Sequence, residues 1–77
     1  MTHAMPLAMA STGERVRIVS LIGGRGIRQH LTSMGLSVGS EIEVLKKGFP
    51  GPLLVSVRDT RLGIGAGIAH KIMVSPV

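Results

Sequence analysis

The chain has 77 residues, with nine Lys and Arg against four Asp and Glu for a formal net charge of +5, and it contains no cysteine. That length falls short of the roughly 100–200 residues of an ordinary domain, which excludes a two-domain enzyme, and the missing cysteines exclude disulfides and thiolate metal sites as staples. Phe49 is the single aromatic residue, so the core must be aliphatic, while the positive charge suggests an anionic partner such as nucleic acid, a lipid head group or an acidic protein face.

The uncharged stretch Met1–Gly13 lacks the basic flank and long apolar centre of a signal peptide, and no run approaches the roughly 18–20 apolar residues of a membrane span. A soluble, cytoplasmic chain is expected. Met1 to Ala10 are small and apolar without a clean period, so residues 1–5 are expected to be a mobile tail and residues 6–77 the folded domain.

Gly13 supplies a turn into Glu14–Ser20, where Val16 and Ile18 share one face and Arg15 and Arg17 the other, the period of a half-buried strand. Gly23, Gly24 and Gly26 break the chain around Arg25, and Ile27, Leu31 and Met34 then follow at helical spacing. Gly35 stands where helices end in a left-handed residue, with Leu36 able to fold back onto them, so the helix is predicted to stop at Met34. A second strand is predicted over Glu41–Lys47, where Ile42 and Val44 alternate with charged neighbours.

Phe49-Pro50-Gly51-Pro52 cannot continue a ladder and must link strands. Leu53–Arg58 reads as a third strand, Asp59-Thr60 as a tight connection and Arg61–Gly65 as a fourth strand bent by its glycines. A turn of helix is expected around Ile68–His70, and Ile72–Ser75 forms a fifth strand, limited by Pro76. Five short strands with one small helix make a mainly-β barrel, which removes sheet edges. Its expected core is Val16, Ile18, Leu31, Met34, Leu36, Ile42, Val44, Val55, Val57, Ile72 and Val74.

The order of these segments resembles the FeoA family, small cytoplasmic accessories of bacterial ferrous-iron transport. The resemblance runs from Pro6 to Val74 and rests on Pro6-Leu7, Gly13-Glu14, Gly23-Gly24-Arg25-Gly26, Arg28–Leu36, Val38–Val44, Gly51-Pro52-Leu53 and Ala69–Val74. It implies a five-stranded SH3-like barrel and a non-enzymatic module acting on FeoB, the membrane permease with a cytosolic GTPase domain. The glycine-rich Gly63–Gly67 departs from the expected pattern and leaves the path of the fourth strand open.

Chemistry-bearing motifs are sparse. The Gly23–Gly26 loop leads into a helix, yet the P-loop spacing and its lysine are missing, so no nucleotide is expected to bind tightly. His3, His30 and His70 share no ligand spacing, Met1, Met5 and Met9 read as tail and core filler, and His30 is expected at the core margin. No metal or cofactor site is assigned. Glu14, Glu41, Glu43 and Asp59 are the only carboxylates, Glu41 and Glu43 project from the outer face of one strand, and no Ser or Thr has an evident base partner, so no catalytic residue is assigned. Two classes remain: a protein-interaction module and a nucleic-acid-binding small barrel, the latter short of stacking aromatics. For the former, Arg25 and Arg28 beside the glycine loop, with Lys46, Lys47 and Phe49 near the following turn, are the candidate partner-binding residues.

Overall fold

In the computed structural model, which describes residues 4–48 and 51–77, alternating aliphatic residues build six short strands. The chain runs through β1 (Met5–Pro6), a 3-10 turn (Leu7–Met9), β2 (Arg15–Leu21), α1 (Arg25–Ser33) and β3 (Glu41–Lys47). It continues through β4 (Leu53–Val57), β5 (Thr60–Ile64), α2 (Ala66–Ala69) and β6 (Ile72–Pro76). All pairings are antiparallel, in the order β1-β6-β2-β3-β4-β5.

Register puts the apolar residues on one side of this sheet. Val16 lies opposite Ile42, Ile18 opposite Val74 and Val44 opposite Val55, and all six are buried. Because each fully buried Val, Leu or Ile contributes about 1.5–3 kcal/mol relative to exposure, this row alone explains why a one-residue slip in pairing is excluded. The register shifts at Val19 in β2 and at Leu45 in β3, and such bulges coil a sheet around its own core.

Helix α1 ends as its sequence predicts. Gly35 adopts φ +86°, its N–H donates to the Thr32 carbonyl at 2.9 Å, and the Leu36 N–H donates to the Leu31 carbonyl at 2.8 Å. This pair of bonds satisfies carbonyls that the helix end would otherwise orphan. At the other end the helix begins at Arg25, two residues before the first apolar position of its stripe.

Several expectations are corrected. The strand expected at Leu53–Arg58 stops at Val57, and the two-residue connection is Arg58-Asp59, with Thr60 paired to Val57 as the first residue of β5. Both Arg58 and Asp59 have positive φ, 49° and 66°, because a two-residue hairpin needs left-handed residues to match strand twist. Met5 falls inside β1, paired with Val74, so the boundary drawn after residue 5 cuts a strand; residues 1–3 lie outside the described residues. The core gains Leu7, Ala10, Leu53, Ile64 and Ala69, while Met34 is half-buried against it.

Among the described pairings no ladder joins β5 to β1, so the barrel is open there, and α2 packs beside the 3-10 turn instead. The Gly63–Gly67 segment divides cleanly: Gly63 packs on Pro52 in β5, Gly65 is the N-cap of α2, and Gly67 lies within that helix.

Candidate functional site

Arg25 and Arg28 open α1, three residues apart and therefore neighbours on its first turn. Both are exposed. The N-cap, Gly24, offers no side-chain hydrogen bond, and the first turn holds no acidic residue. Two cations thus face the positive end of the helix dipole, an arrangement that costs about 0.3–1 kcal/mol each at low salt. The preceding glycine loop has a packing role: Gly23 takes φ +131°, and a Cβ there would stand 3.0 Å from Cδ1 of Ile27.

Lys46 and Lys47 are exposed at the far end of β3. Arg17 of β2 pairs with Glu41 at the start of β3, and β2 runs on from there toward α1, whereas Lys47 pairs with Leu53 at the opposite end. The two basic clusters therefore lie on different elements, one on the first turn of α1 and the other at the C-terminal end of β3. Lys47 borders a groove of about 290 Å³ walled by Ala8, Leu53 and Ala69, with His70 on the rim. Phe49, the remaining candidate, lies outside the described residues.

A third basic feature emerges only from register. Arg15, Glu41 and Arg58 line one polar cleft of about 330 Å³, together with Gly39, Ser40 and Val57. The Arg17 guanidinium donates to Glu41 Oε2 at 3.1 Å, and this is the one ion pair among the described residues. Arg15 stands opposite Glu43 in the ladder. On the outer face of β2 and β3, then, arginines and glutamates alternate, and a nucleic-acid backbone tracking this face would meet both signs of charge.

Among the described residues no group of three or more His, Cys, Asp or Glu side chains is placed to hold a metal ion. His30 is exposed on α1 rather than at the core margin, because the Leu31 position beside it takes the buried face. His3 lies outside the described residues. No described helix is long and apolar enough to cross a membrane.

With this geometry in hand, comparison with known proteins gives consistent results. A model described as the FeoA domain matches residues 5–76. The putative Fe(2+) transport protein A of Methanocaldococcus jannaschii is 41% identical over 69 residues, covering 90% of this chain and 83% of that protein. The crystal structure of an iron uptake regulatory protein, FeoA, superposes with a TM-score of 0.90 at 37% identity, covering 97% of this chain and 99% of the other. A manganese-dependent transcriptional repressor superposes with a TM-score of 0.91 over the whole chain but over 44% of its own length, and at 20% identity the likeness is one of fold.

Proposed function

Because the chain belongs to the FeoA family, we propose that it is a non-enzymatic cytoplasmic accessory of ferrous-iron uptake that acts by binding the cytosolic GTPase domain of a FeoB-type permease. The observation that carries this reading is the pair Arg25 and Arg28. They are exposed, adjacent and held on a capped helix against the sign of its dipole, which favours a role outside the helix itself. Arginine's planar donors suit carboxylate-rich protein faces, and loops on a rigid barrel are where such contacts usually sit.

Lys46 and Lys47, at the C-terminal end of β3, form a second basic pair on a separate element. The nucleic-acid alternative is disfavoured by Glu41 and Glu43, which interrupt the positive charge along the sheet. The test is calorimetry between this chain and the permease's cytosolic domain, with Arg25→Glu and Arg28→Glu combined. A loss of affinity that shrinks with added salt supports the proposal; wild-type affinity in the double variant rejects it.

A further inference from the structure

The cleft between β2 and the β4–β5 turn holds two guanidinium groups with no ion-pair partner among the described residues. Arg15 comes from β2 and Arg58 from the hairpin turn, and neither makes a hydrogen bond to a carboxylate, whereas Arg17 beside them is already paired with Glu41. Like charges facing one cleft repel, and Arg58 additionally holds φ +49°, a conformation that disfavours any residue with a Cβ other than Asn or Asp. The hairpin closed by the Val57–Thr60 pairing holds the backbone of Arg58 in place, and Glu41 in the cleft tempers the repulsion, but neither Arg15 nor Arg58 forms an ion pair among the described residues.

Of the remaining lining, Glu41 carries negative charge, while Gly39 and Ser40 offer polar groups that can meet an oxyanion. Ser40 Oγ accepts from the Ser37 N–H at 3.1 Å, which leaves its hydroxyl hydrogen free to turn toward the cleft or to Ser37 Oγ at 3.4 Å. Gly39 and Ser40 form a tight turn, with the Ser40 N–H donating to the Ser37 carbonyl at 2.9 Å, and the turn is fastened to β2 by Gly39 N–H to Ile18 carbonyl and Ile18 N–H to Ser40 carbonyl bonds at 2.8 and 2.9 Å. The part of the lining formed by Gly39 and Ser40 is therefore rigid.

We propose that Arg15 and Arg58 form a clamp for carboxylate side chains carried on an acidic protein segment. A guanidinium fork matches a planar carboxylate with two parallel N–H···O bonds. Glu41 lies in the same cleft and Glu43 stands opposite Arg15, so the site repels a dianionic phosphate more than a singly charged carboxylate. The cleft opens on a sheet face, which admits a side chain presented by another chain. The site is distinct from Arg25 and Arg28 on α1 and does not depend on the identity of the permease.

The test uses the full chain and a blocked tetra-aspartate peptide, followed by amide chemical shifts and by calorimetry at low salt. R15Q and R58N each remove one guanidinium, and Asn tolerates the left-handed backbone at position 58, so both variants should fold. Shifts should centre on Gly39, Ser40 and Arg58, and each variant should lose at least about fivefold in affinity. K71Q removes the same unit of charge at the start of β6 and should stay within about twofold. Equal losses in K71Q would reduce the effect to net charge and overturn the proposal. Unchanged affinity in R15Q and R58N would do the same, as would inorganic phosphate binding the same residues more tightly than the peptide.

Discussion

The Leu36 N–H reaches back 2.8 Å to the Leu31 carbonyl, and the side chains of both residues are fully buried. One backbone bond and the burial of both side chains in the core thus stop α1 and turn the chain toward β3. Gly35, between them, carries the whole conformational demand at φ +86°.

Gly35→Val should lower stability by at least about 1 kcal/mol, since a β-branched residue resists the left-handed region. No atom lies within 4 Å of a Cβ built at this position, so the loss would be one of backbone conformation and not of collision. Thermal or urea melts give the answer, and an unchanged midpoint would reject the cap.

At the Arg58-Asp59 turn the strain runs the other way. Asp59 has φ +66° where a two-residue hairpin prefers glycine. Asp59→Gly should raise stability by about 0.5 kcal/mol, and Asp59→Val should lower it by about 1–2 kcal/mol. If the two variants melt in the reverse order, the turn geometry is wrong.

Two other glycines separate space from conformation. Gly26 lies in α1 with negative φ and no atom within 4 Å of an added Cβ, so Gly26→Ala should stabilise by about 0.4–1 kcal/mol. A Cβ at Gly48 would stand 2.6 Å from the Pro52 carbonyl oxygen, so Gly48→Ala should destabilise by about 1 kcal/mol or more. Denaturant midpoints of the two variants should move in opposite directions.

Leu7 is fully buried in the 3-10 turn, and Leu7→Ala should cost about 2–4 kcal/mol. A loss under about 0.5 kcal/mol by chemical denaturation would mean that the N-terminal segment does not belong to the cooperative core.

Reversing Arg25 and Arg28 to glutamate turns an unfavourable helix-end charge into a favourable one. The melting temperature of the double variant should hold or rise, by the equivalent of about 0.3–1 kcal/mol per residue at low salt, while permease affinity falls. A fall in both would point to damaged folding.

Much of this fold was legible from period two alone. Val16 and Ile18, Ile42 and Val44, and Val55 and Val57 alternate with exposed or half-buried neighbours, and each pair lies where alternation puts it. Met5 and Leu7 were not legible, because Met5 is placed by pairing with Val74 near the other end of the chain and Leu7 by the 3-10 turn that follows that pairing, not by any local period. Ile64 was masked by Gly63 and Gly65 on its two sides, which weaken a pattern without abolishing burial, and Ala69 by the shortness of the turn of helix that carries it. For the candidate site, exposure of Arg25, Arg28, Lys46 and Lys47 followed from position beside turns, but the meeting of Arg15 with Arg58 in one cleft follows only from strand register.

The position of β6 between β1 and β2 sets the timing of folding. On a ribosome the chain would emerge through β5 with a four-stranded sheet, β2 to β5, whose β2 edge has no neighbour and whose Met5–Pro6 segment has nothing to pair with. Only when Ile72–Pro76 arrives can both edges be satisfied at once. Such high contact order slows folding and leaves the nascent edge exposed to other chains. A translational pause before Ile72 should therefore raise aggregation more than an equal pause before Leu53, where less of that edge has formed.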